Sequence, residues 1–502
     1  MLRRFLHNTA ISAVAYALAG VLGLFSVGLI VKSYGVAILG LTVLLRGFLP
    51  SGFLAMIDFG SSENVTQAVA RGRIGDWKVA SEKFTVITLI AGVTGIASGL
   101  VLWLLAEGLA GLFKVAPEYL DGFVMVLKMT SIVAPVAFLG LVAEGALKGF
   151  EQYAWLRLTE VGGSVLYVAA IYVCVWQHAP YEWIVYSFLA TVLTKYVILG
   201  GVTYMLARDT ALRFTWWTAS SRDDVLYRSW LMFNSRVAAA AQQTMMPLAV
   251  GVLYGPVAVG TFDVITRLPR FLKTTMSPLY SAILPIAAHI EERTDVRRGQ
   301  MLARNGLVLP AAIIIPALVV VALFSPDILR LWIGAQYADD WLWLAISLAV
   351  PAVTVMLGAG QTALMVRSDF LRISTRLLYF QVVAQYVITA ALLLLLRERA
   401  FVLGWAVSYV IFAPFLAHYQ LTFTELSPSL FWKQLARHMV VALVLCITVV
   451  SLKMYWHPIT LSALVVIGTL GCIAAWSLSV ALILSPADRA TVGRFARTVA
   501  QR

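Results

Sequence analysis

Apolar stretches of about 20 residues recur along the chain at nearly regular intervals, the length a bilayer-spanning helix requires, and each is closed by a short cluster of charged, glycine or proline positions. Windows of that length predict fourteen spans, at 9–31, 36–60, 84–106, 121–147, 156–176, 181–206, 226–253, 256–288, 302–325, 340–366, 374–396, 400–422, 436–456 and 459–485. The runs are too long for strands and lack period-two alternation, so helices rather than a β-barrel satisfy the backbone in lipid. The expected fold class is an all-α integral membrane protein, with two pseudo-symmetric six-helix lobes and two C-terminal helices. The domain order that follows is an N-terminal lobe at 1–207, a cytoplasmic linker at 208–225, a C-terminal lobe at 226–423, and spans thirteen and fourteen with a cytoplasmic tail at 424–502.

Composition agrees with the pattern. Of the 502 residues 61% are hydrophobic and 13% charged, against roughly 25% charged in an average soluble domain. A soluble globular protein is excluded, and the connections leave no room for a second, soluble domain. Arg3 and Arg4 precede the first apolar stretch, which holds an Ala17-Leu18-Ala19 triplet but runs on unbroken to Val31. That is too long for a cleaved signal segment, so it is expected to remain as the first span.

The formal charge is +13, from 38 basic and 25 acidic side chains. In a soluble chain this would point to nucleic acid; here the charges lie between apolar runs, and membrane lipid is the expected partner. Alternate loops carry 25 lysines and arginines on the side of the termini and 6 on the other. The positive-inside rule then places both termini in the cytoplasm.

Seven cations remain inside the spans: Arg46, Lys128, Lys195, Arg236, Arg267, Arg270 and Lys273. Exposed to lipid they would cost together about 18 to 25 kcal/mol, so they are expected to face protein or a wet cavity. Asp263 lies four residues before Arg267 and Glu144 four before Lys148, spacings that allow pairing on one helix; Lys273 is expected to snorkel toward the cytoplasmic surface. Arg46, Arg236 and Arg270 have no acid three or four positions away. They are the leading candidates for contact with an anionic ligand, because a guanidinium fork fits phosphate oxygens. Arg267 and Lys195 follow, and Gln243 and Trp230 stand near them as candidate sugar contacts. Asp263 and Glu144 are the candidates for coupling to an ion.

The first half repeats in the second. Tyr34-Gly35, Gly40 and Arg46 recur as Tyr254-Gly255, Gly260 and Arg267; Tyr119 and Asp121 recur as Tyr337 and Asp339; Ala146-Leu147 recurs as Ala363-Leu364, all at an offset of 217 to 221. Six spans per copy is an even number, so the copies share one orientation, the arrangement of a parallel repeat with a ligand site between halves that rock in alternating access.

Several segments together resemble the polysaccharide transporter family, the O-antigen flippases of the multidrug/oligosaccharidyl-lipid/polysaccharide exporter superfamily. They are Tyr34-Gly35 to Gly40, Asp58-Phe59-Gly60, Ala68 to Arg71, Gly75-Asp76, Ala146 to Phe150, Leu329 to Gly334 and Tyr337-Ala338. The resemblance covers nearly the whole chain. It implies a two-lobed, fourteen-helix flippase of the bacterial inner membrane that moves an undecaprenyl-diphosphate-linked oligosaccharide to the periplasmic leaflet. No cofactor is implied; a proton or sodium gradient is the implied drive, and other polysaccharide-assembly proteins are the implied partners. Related lipid II flippases use arginines in their second and eighth helices, which here carry Arg46 and Arg267 or Arg270. The alternatives are a multidrug exporter of the same superfamily, which would need an acidic cavity for its cations, and a membrane-embedded polysaccharide-processing enzyme. Against the enzyme stand short outer loops, the largest of which, at about 107–120 and 326–339, carry no histidine, and the absence of GxSxG, P-loop or metal-ligand spacing. The histidines, His438 among them, fall near span ends and are expected at the interface.

Overall fold

All the regular structure among the described residues is helical. The structure is a computed structural model and describes residues 2–49, 52–281, 283, 287, 296–365, 367–455, 460–485 and 488–489; most of the basic tail lies outside these. In chain order the helices are α1 (Leu2–Tyr34), α2 (Val36–Gly47), α3 (Ser61–Gly72), α4 (Trp77–Leu104), α5 (Ala106–Leu112), α6 (Pro117–Gly149), α7 (Tyr153–Trp176), α8 (Glu182–Arg208), α9 (Ala219–Gln243), α10 (Met245–Tyr254) and α11 (Pro256–Ser281). They continue with α12 (Val296–Leu323), α13 (Ser325–Trp332), α14 (Trp341–Ser347), α15 (Ala349–Leu364), α16 (Ser368–Leu396), α17 (Arg399–Phe423), α18 (Ser429–Tyr455) and α19 (Leu461–Leu482).

Among the described residues, 11 helical stretches are long and apolar enough to cross a membrane, the tenth predicted span being α14 and α15 together, and each coincides with one of the fourteen predicted spans. The second, seventh and eighth predicted spans depart from that form. The second stops at Gly47; a 3-10 turn, Phe53–Asp58, follows, and Phe59 (φ 51°) and Gly60 (φ 70°), both left-handed, turn the chain into α3. The seventh divides at Thr244 into α9 and α10, bent by 48°. Pro247 explains the break: without an N–H it cannot bond the carbonyl of Gln243, and its ring crowds that carbonyl. The eighth, α11, is unbroken but carries Asp263, Arg267, Arg270 and Lys273. The three spans that fail as plain apolar helices are thus three of those that carry embedded cations, and helix interruptions of this kind mark ligand sites in transporters.

The chain divides into two compact units, Met1–Val264 and Ile265–Arg502, with the border inside α11. Within the first, α4 packs on α6, α6 on α8, and α7 on α8; within the second, α12 packs on α15, α15 on α17, and α16 on α17. These are the same pairings six spans apart, the packing counterpart of the sequence repeat. In the second unit α18 and α19 lay Val441, Leu445, Leu464 and Ile467 against Val308 and Ala312 of α12.

The core of the first unit shows why residues 208–225 are more than a tether. Leu212 and Val225 are buried against Val65, Val69, Ile87, Val142 and Ala146, each such side chain contributing roughly 1.5–3 kcal/mol. The Glu82 carboxylate on α4 accepts hydrogen bonds from Thr218 N (3.2 Å), Thr218 Oγ1 (2.8 Å) and Ser221 Oγ (2.6 Å). Thr218 in turn caps α9 by accepting from Ser221 N at 3.3 Å, the role for which threonine is favoured at that position. Helix α9 therefore begins at Ala219, seven residues before the predicted seventh span.

The repeated glycines meet. Gly35 (φ 89°) and Gly255 (φ 83°) make the same left-handed turn before α2 and α11. A Cβ on Gly40 would overlap the carbonyl of Pro256, and a Cβ on Gly260 would overlap the carbonyl of Val36. Residues 36 and 40 thus touch 260 and 256 reciprocally, as a local two-fold axis requires.

Candidate functional site

Arg46 occupies the last turn of α2. Its guanidinium carbon lies 4.9 Å from the centre of the Tyr167 ring on α7 and 4.2 Å from that of Phe188 on α8. The two rings are themselves 5.6 Å apart at 69°, so the cation rests in an aromatic corner. Cation–π attraction of about 2 kcal/mol at desolvated sites and the negative end of the α2 dipole make the position tolerable. No hydrogen bond or carboxylate among the described residues engages this guanidinium, and its Nε is buried without a partner.

Beside Arg46 opens a cavity of about 210 Å³, walled by α1, α2, α7 and α8 and lined on its polar side by Ser26, Thr159, Glu160, Ser164, Thr191 and Lys195. Glu160 is already held by Arg157 at 2.7 Å, and Arg157 lies over Tyr16 at 4.2 Å. Lys195 lies 3.5 Å from Glu144 Oε2, while Lys148 holds the other oxygen at 2.9 Å and also donates to Ser62 Oγ at 3.1 Å. At 3.5 Å the Lys195 contact is an ion pair longer than a good hydrogen bond. With Arg157 balancing Glu160, and Glu144 shared between two lysines, the surroundings of the cavity keep an excess of positive charge.

The structure thus brings Arg46 and Lys195 to one cavity, with Glu144 one contact behind. Arg236 belongs to a different cluster. Its Nη1 donates to Asp58 Oδ2 at 2.5 Å and its Nη2 to Glu63 Oε2 at 2.6 Å. Sequence spacing excluded a same-helix acid, and the partners come instead from the turn before α3 and from α3 itself. Asp58 is buried and also accepts from Gly60 N at 2.8 Å. Next to this cluster the rings of Phe59, Phe233 and Trp230 stack at 5.6 and 5.7 Å, with Trp230 exposed.

Arg270, in the second unit, donates to Thr266 Oγ1 at 2.6 Å and to Thr266 O at 3.3 Å; Arg267 lies one turn before it on α11, and Asp263, at the end of the first unit, is buried. Lys273 donates to Tyr409 Oη of α17 at 2.5 Å, an acceptor within the same unit. Gln243 ends α9 at the bend and is not among the residues lining the Arg46 cavity. Lys128 pairs with Glu107 at 3.5 Å. His438, near the start of the thirteenth span, is buried on α18, four residues from buried Gln434.

The family model for polysaccharide biosynthesis protein matches residues 74–342, more than half of the chain. The chain belongs to that family. Comparison with curated proteins gives no match. Among solved structures, the lipid II flippase MurJ in an inward closed conformation matches with a TM-score of 0.72 at 12% identity, covering 94% of this chain and 97% of that one. An inward-facing multidrug resistance MATE family transporter of the MOP superfamily matches at 0.67 with 16% identity over 82% of this chain and 94% of its own. A MOP superfamily transporter from Pyrococcus furiosus, described by the reverse polarity of its binding pocket, matches at 0.53 with 14% identity over 83% and 95%. At such identities the likeness is one of fold: this member of the polysaccharide biosynthesis family has the many-helix membrane fold of those transporters.

Proposed function

We propose that the protein is a flippase that carries an undecaprenyl-diphosphate-linked oligosaccharide across the bacterial inner membrane by alternating access, a transporter and not an enzyme. The observation that carries the reading is the pairing of two cations with unspent hydrogen-bond donors, Arg46 and Lys195, on one cavity inside an apolar bundle. Cations are placed at membrane depth at a cost of several kcal/mol, and a diphosphate is a ligand that offsets it. The cavity's 210 Å³ falls below the roughly 300–1,000 Å³ of drug-sized pockets, so it admits a diphosphate and leaves the sugars and the polyprenyl tail outside. Arg236, Arg267, Arg270 and Gln243 are assigned to the rest of the path, and a proton or sodium gradient acting at Asp263 or Glu144 to the drive. A multidrug exporter is disfavoured because Glu160, the acid on the cavity wall, is already neutralised by Arg157.

The test is deletion followed by locating the lipid-linked oligosaccharide. Accumulation on the cytoplasmic leaflet, reversed by the intact gene, supports the flippase; normal delivery to the periplasmic face in the deletion strain sinks it. Transport that persists after both gradients are dissipated removes the coupling alone.

A further inference from the structure

Two of the three ion pairs nearest the cavity are short: Arg157 to Glu160 at 2.7 Å and Lys148 to Glu144 at 2.9 Å. The third, Lys195 to Glu144, is 3.5 Å long. It is also the pair whose cation lines the cavity while its carboxylate does not. Lys195 otherwise lies 5.1 Å from the neighbouring Tyr196 ring and feels the charge of Glu160, which Arg157 already holds, so a small rotation of its flexible stem exchanges Glu144 for any anion in the cavity. Glu144 bears that loss without being stranded, because Lys148 remains on its other oxygen. A carboxylate left alone at this depth would make the exchange prohibitive; one with a second cation already in place does not.

We infer that Glu144 is a built-in competitor of the substrate diphosphate for Lys195, a positioning residue that weakens anion binding and so promotes release. The inference rests on the proposed diphosphate reading of the Arg46 cavity. A flippase must let go of its headgroup on the far side as readily as it takes it up, and two unopposed cations in a low-dielectric bundle would hold a diphosphate too long. Glu144 sets the exchange by drawing Lys195 back as the anion leaves. Ser62, bonded to Lys148, places the same carboxylate one step from the turn that follows the broken second span.

The experiment is calorimetric titration of inorganic pyrophosphate into the purified full-length protein in detergent. Glu144→Gln and Glu144→Asp are both expected to bind at least fivefold more tightly than wild type, the shorter aspartate widening the gap to Lys195, and Lys195→Gln at least fivefold more weakly. The deciding comparison is Glu144→Gln in the Lys195→Gln background, where the gain should vanish to within twofold. An equal gain there would mean that Glu144 repels the anion through space, and the competitor role would be overturned. It is likewise overturned if neither Glu144 variant tightens binding while Arg46→Ala weakens it. If Arg46→Ala leaves pyrophosphate affinity unchanged, or wild type binds none, the diphosphate reading itself has failed.

Discussion

The guanidinium of Arg46 and the ring of Phe188 lie 4.2 Å apart across the α2–α8 contact, and no carboxylate among the described residues shares the cation. Replacement of Arg46 by alanine is therefore expected to remove a binding group without unbalancing a salt bridge. At about 1.5–3 kcal/mol for a hydrogen bond to a charged group, polysaccharide export should fall at least tenfold at normal protein level. Arg46→Lys keeps the charge but loses the fork and should be intermediate. Surface polysaccharide per unit of membrane protein measures both, and wild-type export from the alanine variant would contradict the assignment.

Arg236 is expected to behave in the opposite way. Asp58 is 3% exposed, so Arg236→Ala leaves a buried charge short of its partner and should destabilise the protein by about 3–5 kcal/mol. Adding Asp58→Asn should recover much of that loss. Thermal unfolding in detergent distinguishes the cases: a melting temperature no higher in the double variant than in Arg236→Ala would show that the pair is not the source of the loss.

The reciprocal glycine contact predicts matched effects. Gly40→Ala and Gly260→Ala each force a methyl into a carbonyl of the facing helix, an overpacking cost of about 1–3 kcal/mol. Gly468→Ala meets open space and should be neutral or slightly stabilising. Melting temperatures that fall for the first two and hold for the third are the expected outcome; equal behaviour of all three would deny the contact.

Orientation is testable without any substrate. The 25 to 6 division of basic residues predicts that a reporter active only in the cytoplasm, fused after Arg502, is active, and that a periplasmic reporter inserted between α5 and α6 is active as well. Reversal of both would invert the assigned topology.

Much of this architecture was legible in the chain because lipid demands long apolar helices, and eleven spans satisfy that demand among the described residues. The repeat was legible too, since Gly35 and Gly255 recur where the backbone needs positive φ. What escaped the reading depends on residues far apart in sequence. Asp58 and Glu63 reach Arg236 from 178 and 173 positions away, and helical spacing rules see only three or four. The break after Gly47 leaves no mark in an apolar count because many of the residues beyond it remain hydrophobic. Arg46 and Lys195 were singled out by their depth, but their meeting at one cavity requires α2 and α8 to be neighbours, and no local pattern encodes that.

The contact at Gly40 has a mechanical consequence. Where backbone rests on backbone, the joint behaves as a bearing, with no side chain to flex between the two rods. Arg46 lies six residues further along α2, a lever arm of about 9 Å at 1.5 Å per residue. A tilt of about 10° at the bearing would then swing the guanidinium by roughly 1.5 Å, enough to make or break its grip on a phosphate oxygen.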